Sequence, residues 1–277
     1  MTEENKIRDA ADAIKGVVEA IPVYQDVVQP AAKELGTALQ TVAKTLHIVL
    51  APISALVWGY DRVKDFVSHD VARKLEGVPV EELGEPEPHV AGPALEALRY
   101  TGYQEELREL YANLLATSID MATATQAHPA FVEMIKQISP DEARIVRLLA
   151  RRFATPMIDV RREEKESRLG TWVVRNFTLL PLEANCAAIN LGPIYLNNLQ
   201  RLGIVELRED YRLRTENEDD TYRPLESHAD IVHQKTLIES DNASKATIGR
   251  GAVQLTELGV QFCQACVLDG THDRGSA

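Results

Sequence analysis

Apolar residues recur at Ile7, Ala11, Ile14, Val18 and Ile21, in alternating steps of four and three, which lays them along one stripe of a helix ending near Pro22. About two heptads are too few for an independent coiled coil, so the stripe reads as docking on a neighbouring helix, with pairing to another subunit as the alternative. Beyond Pro22 and Pro30 the only helix breakers before about Leu75 are Gly36, Pro52 and Gly59. Within this span Leu46 to Tyr60 is apolar almost all round the helix, and such a helix must be buried in protein or in lipid. Its run of about 15 apolar residues is shorter than the roughly 20 that cross a hydrocarbon core, which points to a central core helix kinked at Pro52. Widened to Ala38–Tyr60, the window is long enough to span, with Lys44 and His47 near one interface and Trp58 and Tyr60 anchoring the other. Lys44 opposes a stable span, so insertion on this reading is conditional. Ile48, Leu50, Pro52, Leu56, Trp58 and Tyr60 are the candidate residues for either role.

The stretch from Gly77 to His89 holds three prolines and four glutamates and reads as an exposed connection. After it, Leu107, Leu110, Tyr111, Leu114, Leu115, Ser118 and Met121 step by three and four to form one face of a helix of about five turns, its start rich in acid. Asn113 lies beside that face, where a buried amide needs partners, and is read as a structural hydrogen bond. His128-Pro129 marks the next helix start, followed by the stripe Phe131, Met134, Ile135 and Ile138. Ser139-Pro-Asp-Glu142 combines a serine cap, proline at the first helical position and the glutamate of a capping box. The helix that follows turns Ile145, Val146, Leu148 and Leu149 inward and Arg144, Arg147 and Arg151 outward, with Arg152 in its last turn.

From Asp141 onward helices alternate with β-branched and aromatic runs at Met157–Arg161, Thr171–Leu179 and Ile204–Arg208. Gly192 to Gly203 is a short helix opened by proline and stopped by glycine, and Ala252–Cys263 is a strand running into a threonine-capped helix. The succession resembles a winged helix with Pro193–Leu202 in the recognition position, and Asn197, Asn198, Gln200 and Arg201 are its outward candidates for partner binding. Such side chains can read base edges, but affinity for DNA comes chiefly from phosphate neutralisation, and Glu206, Glu209, Asp210, Glu216, Glu218, Asp219 and Asp220 surround the candidate wing. Protein contact or scaffolding is therefore the preferred reading.

The 277 residues, 45% of them hydrophobic, are enough for two ordinary domains, set at 1–139 and 140–277. The chain carries 30 basic and 42 acidic residues, with 12 against 21 up to Ser139, so general attraction to nucleic acid or anionic lipid is disfavoured. The polar, acidic start and the three cysteines indicate a cytoplasmic address with reduced thiols. Cys263-Gln-Ala-Cys266 has redox spacing but sits in a helix, with Cys186 as its sole companion, and is read as buried and inert. No His-Glu-x-x-His, phosphate-binding glycine loop or nucleophile elbow occurs, so no catalytic, cofactor or metal residue is assigned and an enzyme is not expected.

The helix Glu106-Leu-Arg-Glu-Leu-Tyr-Ala-Asn-Leu-Leu-Ala116, the turn His128-Pro-Ala-Phe-Val132 and the start Ser139-Pro-Asp-Glu-Ala143, in this order and spacing, resemble the Abi-alpha (abortive infection alpha) family. This is a bacterial family of largely unknown function associated with abortive infection against phage. The motif core covers roughly residues 93–150, the likeness in plan extends over most of the chain, and the family offers no catalytic residues to carry over. The expected fold is mainly α: an N-terminal helical assembly followed by a small α+β winged-helix-like domain. The function implied is a non-enzymatic phage-defence protein that engages or perturbs the inner membrane peripherally through Leu46–Tyr60. The alternative is a cytosolic scaffold or regulator that uses its C-terminal domain to bind a protein or a second copy of itself, with DNA the lesser option. On the membrane reading the chain releases dye from lipid vesicles and Leu56→Asp stops the release; a chain that neither binds nor permeabilises vesicles removes the membrane step.

Overall fold

The computed structural model describes residues 59–268 except positions 168, 210, 214–217 and 241. The terminal stripe at 7–21 and most of the apolar run at 46–60 lie outside the described residues. The description opens with helix α1 (Tyr60–Phe66), which passes through a π-helical stretch, Val67–Val71, into α2 (Ala72–Lys74). Val63, Phe66, Val67, Val71 and Leu75 are buried along it, at the spacing of one helical face. The Pro- and Glu-rich connection is tied down: Gly84 N–H donates to the Ile119 carbonyl at 2.7 Å and Met121 N–H to the Glu82 carbonyl at 2.8 Å. Its last two residues, Pro88 and His89, already belong to α3 (Pro88–Thr101).

The centre is α4 (Glu105–Ile119), buried almost all round after its first turn. On it pack α3, α5 (Pro129–Lys136), α6 (Pro140–Arg152) and, from the other end of the chain, α11 (Glu257–Cys266). One member of the expected inward stripe departs from it. The helix stops at Ile119 with Asp120 extended, and Met121 beyond the stop is 55% exposed. Phe131 of α5 meets Phe262 of α11 edge-on, with centroids 5.5 Å apart, so the His-Pro-Ala-Phe turn and the last helix share one core.

Phe153, in the left-handed region at φ 64°, turns the chain from α6 into β1 (Ala154–Glu164). There follow β2 (Gly170–Phe177), α7 (Leu180–Glu183), a 3-10 turn (Ile189–Leu191), α8 (Gly192–Arg201), β3 (Val205–Arg208), α9 (Glu218–Glu226), α10 (Ala229–Glu239), β4 (Ser244–Leu255) and α11. The sheet is antiparallel in the order β2-β1-β4-β3, and β1 and β4 pair over their whole common length, from Ala154–Gln254 to Glu164–Ser244. The result is a mainly helical protein with a small four-stranded sheet. The larger apolar cluster among the described residues includes side chains from Val63 to Cys266. A second, smaller cluster of Ile158, Val160, Tyr222, Leu225, Ile231 and Ile238 lies between the sheet and the pair α9–α10.

That helical pair was not expected from the sequence. Its acidic start, Pro224 within α9 and only four fully buried apolar side chains leave little periodic signal. Elsewhere the last helix is seated by a close backbone approach: Thr256 N–H donates to the Ile204 carbonyl at 3.1 Å, and Thr256 Oγ1 accepts from Gly259 N–H at 2.8 Å. A Cβ on Gly259 would lie 2.0 Å from the Ile204 carbonyl oxygen, so only glycine fits at this third helical position.

The far end of α11 is held by α4. Asn113 Nδ2 donates to the Cys266 carbonyl at 2.9 Å, and one turn on Thr117 Oγ1 donates to the Ala265 carbonyl at 3.0 Å. Carbonyls at a helix end lack partners of their own helix, and buried ones must find them elsewhere. Asn113→Ala is expected to cost about 1–3 kcal/mol in urea unfolding, because it orphans a buried carbonyl. Thr117→Ala, at a part-buried bond, is expected to cost less.

Candidate functional site

The first turn of α6 fixes the loop and helix opposite it. Ser139 Oγ accepts from Glu142 N–H at 3.3 Å and Glu142 Oε2 accepts from Ser139 N–H at 2.6 Å, which is the capping box read from the sequence. The residue between them, Asp141, is only 6% exposed and accepts four hydrogen bonds. They come from Ala187 N–H at 2.8 Å, Ala188 N–H at 3.0 Å, the Tyr195 hydroxyl at 2.9 Å and Arg144 Nη1 at 2.9 Å. Arg144 in turn donates through Nε to Glu106 of α4 at 2.9 Å and through Nη1 to the Asn185 carbonyl at 3.2 Å. Glu142 Oε1 also accepts from Asn198 Nδ2 of α8 at 2.7 Å. Three segments distant in sequence therefore meet at one buried carboxylate. Burial by itself would raise the Asp141 pKa; the two amides, the tyrosine hydroxyl and Arg144 outweigh it and hold the carboxyl below its usual range. Burial and the Asp141 charge push the Tyr195 phenol up to about 12.

This clasp orients α7, the 3-10 turn and α8. Leu180, Tyr195, Leu196 and Leu199 point into the core, and Pro181 lies so close to Gly192 that a Cβ there would come within 2.7 Å of its ring. Outward the same three elements present Leu182 at 50%, Ile189 at 48%, Leu191 at 36% and Ile194 at 62% exposure. Four exposed aliphatic side chains thus fall within 13 residues of these elements. The sequence reading did not single them out. Their signal was present, since Ile194 follows Pro193 on the face of α8 opposite Leu196 and Leu199, but which face is outer depends on Asp141 and Tyr195.

The four α8 candidates divide. Asn197 and Gln200 are exposed on the outer side. Asn198 is half-buried and committed to the clasp through Glu142 and, at 2.8 Å, the Gln137 carbonyl. Arg201 is exposed and donates to Asn198 Oδ1 at 2.7 Å and to Gln137 Oε1 at 3.0 Å. Ile48, Leu50, Pro52, Leu56 and Trp58 lie outside the described residues, and of Tyr60 only the backbone, at the start of α1, is described.

Among the described acidic residues after β3, Glu218, Asp219 and Asp220 open helix α9. The helices α9 and α10 follow β3, and several of the described acidic side chains there are paired within the fold. Arg250 of β4 meets Glu226 at 2.7 Å, Asp219 at 2.8 Å and Glu218 at 3.2 Å, while Asp220 meets Arg223 at 2.7 Å and Glu209 pairs with Arg175. The Cys263 and Cys266 thiols are buried, and burial pushes Cys263 up to about 12 and Cys266 well above the ordinary thiol value. Cys186 is raised to about 11 by burial and then by the Asp141 charge. Thiols so shifted are poor nucleophiles at neutral pH. Among the described residues no group of three or more His, Cys, Asp or Glu side chains is placed to hold a metal ion.

These features define a mainly helical protein with a small sheet built onto its core and a buried carboxylate that ties α6 to the loop and helix opposite it. The chain belongs to the abortive infection alpha family, whose model matches residues 59–266. The three motifs that carry the resemblance fall inside that range. Among solved structures the chain is similar to an uncharacterised protein from the hydrocarbon-degrading marine bacterium Alcanivorax borkumensis SK2, at 21% identity and a TM-score of 0.35, covering 50% of this chain and 92% of that one. A likeness at that level carries no argument. No curated protein matches the chain.

Because the folded Asp141 pKa is depressed, its contribution to stability is present above the unfolded carboxyl value of about 3.9 and is lost as pH falls through the folded value. Asp141→Asn is therefore expected to destabilise at pH 7 by about 2 kcal/mol, the scale of a hydrogen bond to a charged group. The gap to the unmodified chain should narrow once the pH falls below that range. Denaturant unfolding followed against pH measures both, and a gap that stays constant down to acid refutes the assignment.

Proposed function

We propose that this protein is a non-enzymatic phage-defence protein that acts by protein contact through the outer face of α7, the 3-10 turn and α8. On this reading the residues from Pro140 onward form a winged-helix-like domain with α8 in the recognition position. The connectivity supports it: a helix, a strand, two helices and two further strands, with β1, β4 and β3 adjacent in that order. β2 and the pair α9–α10 are additions to that plan. Membership of the abortive infection alpha family supports the defence role.

One observation carries the choice of protein contact over DNA. Where a major-groove reader needs donors, acceptors and phosphate-neutralising cations, the start of α8 offers Leu191 and Ile194, with Leu182 and Ile189 beside them. Aliphatic groups held in fixed positions are the usual anchors of a protein interface. A second reading, peripheral contact with the inner membrane, rests on the apolar run Leu46–Tyr60. Among the described residues no helix is long and apolar enough to cross a membrane.

Phage plating on cells with and without the protein tests the reading. Ile194→Asp and Leu182→Asp alter exposed positions and should change folding stability by no more than about 0.5 kcal/mol. Circular dichroism checks that they fold. Each is expected to return plating at least most of the way to that of cells lacking the protein. Full protection by the folded double variant removes the face from the mechanism.

A further inference from the structure

Asp159 of β1 lacks the donors that Asp141 has. It is 2% exposed and lies between Ile158 and Val160 of the smaller apolar cluster, so its side chain faces the other way, with Met157 of the larger one. Among the described residues it accepts one hydrogen bond, from Asn176 N–H of β2 at 2.7 Å. Asn176, 8% exposed, takes a left-handed φ of 56° where the β1–β2 pairing shifts register between Ile158 and Val160. Its own Oδ1 is buried and has no hydrogen-bond partner among the described residues. Two acceptor groups therefore meet at this irregularity with a single donor between them, and unpaired buried acceptors are costly. The neighbouring cations are engaged elsewhere. Arg175 of β2 pairs with Glu209 after β3, and Arg161 stacks on Trp172 with its guanidinium 5.7 Å from the ring centre. β4 opposes Asp159 with Gly249, which has no side chain, and α8, packed on β2 and β3, carries Arg201, whose hydrogen bonds go to Asn198 and Gln137. On the side of α9 and α10, His228 caps α10 and stacks on Phe177 at 5.1 Å.

We propose that Asp159 and Asn176 form a proton-operated latch on the edge strand β2. A proton taken from water by the carboxyl makes one of its oxygens a donor to Asn176 Oδ1, while the other oxygen keeps the N–H of the same residue. Both acceptors are then satisfied and β2 is held on β1. Return of the proton to water leaves a buried anion with one hydrogen bond, and opening of β2, which hydrates that anion, is favoured. β2 is free to open because it lies at the edge of the sheet, pairs only with β1 and has Gly170–Val173 exposed. Val174 and Phe177 pack on the smaller cluster, so opening uncovers Ile158 and Val160. Burial raises the folded carboxyl value, which the Asn176 N–H lowers, Glu209 adds to and Arg175 opposes. The hold on β2 is thus complete below the unfolded value of about 3.9 and is lost as pH rises through the folded value. Asp141, held below the ordinary range, loses its charge only at lower pH.

The test follows amide hydrogen exchange of Gly170–Phe177 in the full chain, corrected for the intrinsic rate, from about pH 4.5 to about pH 8. Exchange is expected to rise at least about threefold over that range, while the amides of α4 change less. The Asp159 carboxyl carbon should titrate with the same midpoint by NMR. Asp159→Asn, which offers one acceptor and one permanent donor, should keep β2 at its slow rate at every pH. Asp159→Leu, neutral but without a donor, should remove the pH dependence and exchange faster than Asp159→Asn. The His228 imidazole is the rival titrating group at this strand, and His228→Asn, which retains a capping side chain, should leave the pH dependence unchanged. A rate flat with pH, as when Asn176 turns its NH2 to an ionised carboxylate, overturns the latch. So does Asp159→Leu exchanging as slowly as Asp159→Asn, which assigns the effect to charge burial alone. A pH dependence that disappears in His228→Asn and persists in Asp159→Asn overturns it too. Where the leucine variant does not fold, Asp159→Asn decides: exchange faster than in the unmodified chain at about pH 8 refutes the donor.

Discussion

A buried carboxylate is the constraint on which the rest of the outer surface depends. Removing the charge of Asp141 from water costs several kcal/mol, and nothing apolar could offset that. Four donors do, and they come from α6 itself, from the loop before α8 and from Tyr195 within α8. Each donor is useful only if its own segment is in place, so the carboxylate accepts one arrangement of the loop and helix and penalises others. The direction in which α8 faces is thereby settled by electrostatics, while its depth is set by Leu196 and Leu199 against the core.

The same logic joins the two ends of the described chain. Asn113 and Thr117, one turn apart on α4, supply donors to the last carbonyls of α11, and Phe131 meets Phe262 beneath them. The helix of the family motif and the final helix therefore share packing and hydrogen bonds across about 150 residues of sequence. The larger apolar cluster likewise draws residues from both the helical part and the sheet-bearing part, from Val63 to Cys266.

The helices around the family motifs were legible because their signals are local. Ser139, Pro140 and Glu142 announce a helix start whatever lies opposite, and the stripes of α4 and α5 repeat every three to four residues. The need of Asn113 for a partner could be read, though not the partner, since Cys266 lies 153 residues away. Asp141 was passed over for a related reason: at the second helical position an aspartate already has a local explanation in the helix dipole, and its four donors are mostly distant. β1 and β4 proved longer than the runs read from the sequence because pairing with each other, not propensity, carries Arg162–Glu164 and Ser244–Gly251 into the sheet. The acidic run after β3 looked like an exposed obstacle to anions because its counterion, Arg250, sits on a strand 24 to 32 residues further on.

A second buried aspartate shows that donor number, more than burial, decides the sign of such a site. Asp159 of β1 is 2% exposed and accepts from Asn176 N–H at 2.7 Å, where Asn176 takes up a left-handed φ of 56° beside an irregularity in the β1–β2 pairing. Burial raises its pKa, that hydrogen bond offsets the rise only in part, Glu209 adds to it and Arg175 opposes it. A carboxyl with a raised folded pKa contributes stability that is complete below the unfolded value and is lost as pH rises through the folded value, the reverse of Asp141. At neutral pH, then, Asp141 holds the outer face in place while Asp159 weakens the sheet beside it.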